Sequence, residues 1–198
     1  MSKKVERGQA TRLRIVASAT TLFSELGYEA TSIEAVLRES GVSRGALYHH
    51  FDSKDALFEA VLEAIEADLA QAAIAASRDI ADPAKALRAG CDVFLDLTQT
   101  AKVRQIVLVD APAVLGWQKW REIESRYGFG LLKAALEAAA ARGQVRQDLV
   151  DVFAHMLLAA LIEVALMVSR ADDPAEALKS GRTALGELMD RLLTTTTR

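Results

Sequence analysis

The sequence predicts an all-α protein, and three observations carry that expectation. Alanine and leucine dominate a chain of 198 residues that is 51% hydrophobic, with only 3 prolines and 11 glycines to interrupt helices. Apolar residues recur at intervals of three and four rather than alternately, the period of a helix and not of a strand. Helix-start signals punctuate the chain: Asp82-Pro83 and Asp173-Pro174 each join a capping carboxylate to a proline at the first helical position.

Composition bounds the rest. The length suffices for one large domain or two small ones with a sizeable buried core. The single cysteine, Cys91, forms no internal disulfide; it is expected to be a buried structural thiol in a reducing cytoplasm. The basic N-terminus, "MSKKVERGQATRLR", lacks the apolar stretch of a signal peptide. The most apolar run, Val152 to Val168, carries His155 and Glu163 and falls short of the ~20 residues of a membrane span, so it is read as a buried helix and no membrane partner is expected. Residues 1–55 hold 8 Lys and Arg against 7 Asp and Glu, and the remainder 16 against 20. Any nucleic-acid binding must therefore come from a local patch, not from overall charge.

Taken in order, Thr11 to Leu26 forms a first helix with Leu13, Val16, Ala17, Thr20, Phe23 and Leu26 on its apolar face, and Gly27 stops it. Thr31 and Glu34 make a capping box that opens a short helix ending near Ser40. Gly41 turns the chain, Ser43 caps the next helix, "RGALYHH", and Asp52 and Ser53 cap a long one over 54–77. Further helices are expected at 83–100, 103–115, 117–142, 148–170 and 174–194, with a kink or stop at Pro112. Two short helices joined by a glycine turn behind a longer one outline a helix-turn-helix. Ile33, Val36, Leu37, Val42, Leu47 and Phe51 would pack it against Phe23 and Leu26, leaving Arg44, Gly45, Ala46, Tyr48 and His49 outward.

The outward residues suit a major groove. Gly45 and Ala46 let backbone approach base edges, and Arg44 can donate two hydrogen bonds to a guanine. Tyr48 and His49 can meet phosphates or thymine methyls, and Lys54 sits at a helix N-terminus, where charge, free amides and dipole favour a phosphate. Thr31 offers a further phosphate contact, and Lys3, Lys4, Arg7, Arg12 and Arg14 form a candidate basic arm. Adjacent His49 and His50 diverge by ~100° on a helix, so no metal site is expected.

From Ile15 to Leu62, "IVASATTLFSELGYEATSIEAVLRESGVSRGALYHHFDSKDALFEAVL" resembles the DNA-binding domain of the tetracycline-repressor (TetR) family. The aromatic-glycine-tyrosine spacing, the threonine cap, the "GVSRGALYHHF" helix and the "SKDAL" helix start all agree. The stretch "LVDAPAVLGWQKWREIESRYG" resembles one in members from soil bacteria. The resemblance implies base-facing roles for Ser43, Arg44 and Gly45 and phosphate or base contacts for Thr31, Tyr48, His49 and Lys54. It implies a helix-turn-helix DNA-binding domain over 8–55 and a helical ligand-binding and dimerisation domain over 56–198. The expected function is a ligand-responsive repressor, a homodimer on a palindromic operator in double-stranded DNA, released by a small apolar or aromatic effector and needing no cofactor.

Phe94, Trp117, Trp120, Tyr127, His155 and Met156 are the candidate effector pocket, rings with a few polar anchors. Leu158, Leu161, Ile162, Ala165 and Val168 on one helix, with Ala177, Leu178, Leu185, Leu188, Met189 and Leu192 on the next, are the candidate dimer face. Two rivals stand beside this reading. An enzyme would need a nucleophile triad, a phosphate loop or a metal cluster, and 3 histidines with one cysteine show none. A helical sensor or adaptor without sequence-specific DNA binding would not require Arg44, Tyr48 and Lys54 to stand together.

Overall fold

A computed structural model describes residues 3–193 and places helices along nearly all of them. Helix α1 spans Lys3–Ala30, α2 Ile33–Ser40, α3 Arg44–His50, α4 Lys54–Ser77 and α5 Pro83–Leu97. A short α6, Ala101–Val103, runs through π-helical turns at Arg104–Asp110 into α7, Ala111–Val114. Helix α8, Trp117–Glu124, passes through a second π-helical stretch, Ser125–Phe129, into α9, Gly130–Ala141. Helices α10, Val150–Arg170, and α11, Pro174–Leu192, complete the order. The chain divides into two compact units, residues 1–65 with 101–120, and 66–100 with 121–198. α4 is continuous and gives its first half to one unit and its second half to the other.

The first unit is built on an i, i+4 stripe of α1. Ile15, Ala19 and Phe23 are fully buried and Val16 nearly so, whereas Leu13 is 66% and Leu26 52% exposed. The apolar face is therefore rotated from the one expected, because the helix also buries itself against the segment 101–110. Helix α1 begins at Lys3 rather than Thr11, so Arg7, Arg12 and Arg14 are helical residues and not a flexible arm. The side chains of Lys3 and Lys4 lie outside the described residues. Gly27, at φ 77, ψ 169, breaks the helical conformation as expected and turns the chain toward α2.

Hydroxyl and carboxylate caps start the helices. The oxygens of Ser32, Ser43, Ser53 and Asp82 accept from the amides of Ala35, Ala46, Ala56 and Lys85 at 3.0–3.2 Å. Asp173 accepts from both Ala175 and Glu176 at 3.1 Å. The expected Thr31–Glu34 capping box does not form. Ser32 is the cap of α2, because the Thr31 hydroxyl is already donating to the carbonyls of Gly27 at 2.8 Å and Leu22 at 3.2 Å. Pro112 does not end its helix, which continues to Val114. It has no N–H for the Leu108 carbonyl, and the chain widens instead, with the Ala111 amide reaching back to the Ile106 carbonyl.

In the second unit, α10 buries Ala154, Leu157, Leu158, Leu161, Ile162, Ala165 and Val168 against α5, α9 and α11. The helix is apolar and long enough to cross a membrane by length and composition alone. Its outer stripe nonetheless carries Asp151, His155, Glu163 and Arg170, all exposed. Where α11 crosses α10, a Cβ on Gly181 would lie 2.5 Å from Cγ1 of Val164. Gly181→Ala is therefore expected to lose stability, overpacking of ~1–3 kcal/mol outweighing the ~1 kcal/mol of helix propensity gained. Gly186→Ala meets only the Arg88 guanidinium, at 3.7 Å, and should gain that propensity term. Denaturant midpoints for the two variants, shifted in opposite directions, check the crossing.

Candidate nucleic-acid interface and effector cavity

The short helix α3 is held by one side and offered by the other. Leu47 is completely buried, Phe51 closes its end at 4% exposure, and the Gly41 amide donating to the Leu37 carbonyl at 3.0 Å fixes the turn before it. With Leu47 inward, the helical period leaves Ser43, Arg44, Gly45, Tyr48 and His49 exposed and Ala46 half-buried. Gly45 is not needed by any internal neighbour, since an added Cβ would meet nothing within 4 Å. It keeps the outer surface of α3 flat.

Arg44 is held by Glu34 on α2, Nη2 to Oε1 at 2.6 Å. The pairing keeps the Glu34 carboxyl below its ordinary value and raises the Arg44 guanidinium. Both side chains are more than half exposed, 58% and 61%, so the pair is cheap to open when a better acceptor arrives. His49 and His50 meet edge to face at 5.3 Å, and the Arg12 guanidinium lies 5.2 Å over the Phe51 ring.

Lys54 stands at the first position of α4, as the sequence implies, with Nζ 4.0 Å over the Tyr28 ring and 3.5 Å from the Glu29 carbonyl. Tyr28, the tyrosine of the aromatic-glycine-tyrosine spacing, is a hub of the first unit. Its ring stacks on Phe23 at 5.8 Å and meets Phe58 edge-on at 5.1 Å, and its hydroxyl donates to Asp55. Its amide donates to Asp110 Oδ2 at 2.8 Å, and Gln105 donates to the other oxygen of Asp110 at 3.0 Å. Burial first, then Asp55, pushes the Tyr28 phenol above its ordinary range. Thr31 does not join the exposed set: it is 1% exposed, its hydroxyl satisfied internally and its amide donating to Tyr28. The exposed hydroxyl at this helix start is Ser32.

The second unit encloses a cavity of about 330 Å³, within the ~300–1,000 Å³ range of small-molecule sites. Leucines and alanines of α4, α5, α9 and α10 line most of it, with Phe94, Cys91, Ser77 and two carboxyls, Glu66 and Glu124. Burial, followed by repulsion from Glu124, pushes Glu66 up to about 8. Burial pushes Glu124 up to about 7 against the opposing pull of Arg121, whose Nη1 donates to it. Cys91 is buried as expected, and desolvation raises its thiol to about 12, which keeps it protonated and unreactive.

Of the six residues named for the pocket, Phe94 alone lines this cavity. Trp117 and Trp120 belong to the first unit, where their rings meet at 5.0 Å; Trp117 is 65% exposed and Trp120 is buried. Tyr127 is half-buried and does not line the cavity. His155 and Met156 lie on the outer stripe of α10, with His155 hydrogen-bonded to the Asp151 carbonyl at 2.8 Å and 4.3 Å from the Phe129 ring. Of the apolar face expected to pair two copies, Ala177, Leu178, Leu188 and Leu192 are half-buried within one protomer. Leu158, Leu161, Ile162, Ala165 and Val168 are buried within the chain, as are Leu185 and Met189, while Val152, Met156 and Met167 are about half exposed.

Comparison with known proteins bears on both units. The family profile described as bacterial regulatory proteins, tetR family, matches residues 15–61, and the tetracyclin repressor-like C-terminal domain matches 84–192. The Transposon Tn10 TetC protein of Escherichia coli is 25% identical over 171 residues, 86% of each chain. The HTH-type transcriptional repressor NicS of Pseudomonas putida is 28% identical over 162 residues, 80% of this chain and 76% of its own. The crystal structure of a TetR-family transcriptional regulator from Pectobacterium atrosepticum superposes with a TM-score of 0.83 at 29% identity, covering 98% of both chains.

Proposed function

The chain belongs to the tetracycline-repressor family of DNA-binding transcriptional regulators, and on that premise we propose that it is an effector-released repressor acting as a homodimer in the cytoplasm. Residues 8–55 read the operator, and residues 56–198 hold the effector and pair the protomers. The observation that carries the reading is the two-faced α3: Leu47 is pinned in the core while Arg44, Gly45, Tyr48 and His49 face solvent. Arg44 leaves Glu34 for a guanine edge, Gly45 admits the base, and Ser43, Ala46, Tyr48 and His49 meet bases and phosphates beside it. Lys54 and the exposed Ser32 flank the groove and hold its phosphates.

One such head covers a half-site, so a palindrome with half-sites about one helical turn apart calls for two. The half-exposed Val152, Met156 and Met167 on α10 are the apolar residues offered for pairing. Release follows from α4, which carries Lys54 at one end and Glu66 and Leu69 of the cavity wall further along. An effector that binds one placement of α4 more tightly than another shifts the operator affinity by that difference.

Selection of bound duplexes from a random pool, at two salt concentrations, tests the reading. Enrichment of a palindrome is the expected result; binding without sequence preference would overturn it in favour of a sensor that does not read DNA. Arg44→Ala is expected to relax preference at one position per half-site by roughly 10-fold or more. Lys54→Ala should instead weaken binding to every sequence alike and lower the salt slope by about one for each phosphate no longer neutralised.

A further inference from the structure

The cavity contains something that a neutral apolar effector would not use. Glu66 and Glu124 are 4% and 5% exposed, and both line it. Glu124 has Arg121 as a partner. Glu66 has none among the described residues: burial and the neighbouring Glu124 act on its carboxyl, and no donor reaches it. A buried carboxyl without a donor is costly to the fold, and two that repel each other are costlier. The rest of the wall includes Ala70, Ala73, Leu87, Leu132 and Phe94, whose side chains offer neither of them a hydrogen bond.

The sign of the charge selects the ligand. Among the described residues no lysine, arginine or histidine lines the cavity, so a carboxylate or phosphate would meet two acids and no counter-charge in its wall. A neutral hydrocarbon would leave Glu66 as it is, unpaired in a low-dielectric wall. A positive nitrogen gains from both carboxyls at once, and the apolar wall accepts the rest of the molecule. Resting on the reading of this cavity as the effector site, we infer that its ligand is a lipophilic organic cation, an amine or quaternary ammonium, whose charged nitrogen lies against Glu66 and Glu124. Burial keeps both acids protonated further up the pH scale than usual, and Arg121 counters this only at Glu124. Entry of the cation releases one proton from each acid that still holds one and leaves carboxylates facing it; Cys91 stays a thiol throughout.

Calorimetric titration and thermal melting of the full-length protein near neutral pH test this with three probes matched in shape. They are the biphenylmethyl-trimethylammonium cation, its neutral isostere 4-neopentylbiphenyl, and the anion 4-biphenylacetate. The cation is expected to bind at least about tenfold more tightly than the neutral probe, and the anion most weakly. Glu66→Gln and the Glu66→Gln, Glu124→Gln double variant keep shape and volume. They should lose that preference while the neutral probe keeps its affinity within about twofold. Ala135→Phe, which fills the cavity, should remove binding of any probe that enters it.

If cation and neutral probe bind equally and Ala135→Phe removes both, the cavity stands as an effector site and the charge inference falls. Charge preference that survives the double variant overturns it too, since the charge is then read elsewhere. If no probe binds, the cavity is not an effector site and both readings fall together.

Discussion

Phe23→Ala is expected to destabilise the protein by about 3–5 kcal/mol, the cost of emptying a fully buried aromatic site. Phe23 is one corner of a triangle of rings, 5.8 Å from Tyr28 and 5.2 Å from Phe58, with Tyr28 and Phe58 5.1 Å apart. Removing it strips both aromatic partners of a packed face and loosens the turn at Gly27, where the Tyr28 amide meets Asp110. Against a total stability of ~5–15 kcal/mol this is a large fraction, and at 198 residues it corresponds to a melting point lower by about 10 °C. DNA affinity should fall as well, because Lys54 rests on the Tyr28 ring and α3 leans on the same core. Leu13→Ala is the matched control. Leu13 is 66% exposed and its truncation should move stability by no more than about 0.5 kcal/mol. Equal losses in the two variants would overturn the observed register of α1.

That pair of residues also marks what the sequence could and could not say. Leu13 and Phe23 both fit a helical period, and periodicity alone places both on one face. The true face is Ile15, Ala19 and Phe23, selected by a segment about eighty residues further on, whose arrival no local pattern announces. Helix starts are legible where a single capping group is on offer, as at Ser43, Asp82 and Asp173. Where Thr31 and Ser32 compete, the outcome depends on the carbonyls the Gly27 turn leaves for Thr31 to bind. The outward face of α3 is readable for the opposite reason: a seven-residue helix with one buried leucine has little freedom in which side it shows.

The cavity of the second unit is mostly illegible in the sequence. Its wall is mostly leucines and alanines of α4, α5, α9 and α10, brought together by helix pairing and not by any motif. The tryptophans are natural candidates because rings line many ligand sites, yet they pack in the other unit. Glu66 and Glu124 look like the ordinary charges of solvated helix faces. A signal is present for Glu66, which lies in register with Leu62 and Leu69 at helical spacing and so falls on the buried side of α4.

Those two carboxyls make the stability of the protein depend on pH in an unusual direction. An unfolded glutamate releases its proton near 4.5, whereas Glu66 and Glu124 in the fold hold theirs to about 8 and about 7. Between these values the native state binds more protons than the unfolded one. Stability therefore falls as pH rises from about 4.5 to about 8, the reverse of what paired surface carboxylates do. Asp82 and Asp148, held below their ordinary values by hydrogen bonds, lose their stabilising effect only below that window. Glu66→Gln removes the larger of the two contributions. The variant should match the wild type near pH 5 and exceed it by a few kcal/mol at pH 8, because holding a proton one pH unit further up the scale corresponds to about 1.4 kcal/mol. Thermal melts of both proteins across this range measure the difference, and parallel curves would show that Glu66 ionises in the fold as it does in water. A cation bound between the two acids should flatten the wild-type curve in the same way, by favouring the carboxylates that the apolar wall resists. The ligand and the substitution would then act on one quantity, the free energy of placing negative charge in that wall. The protein would then be most stable without the cation on the acid side of neutrality and most strengthened by it on the alkaline side.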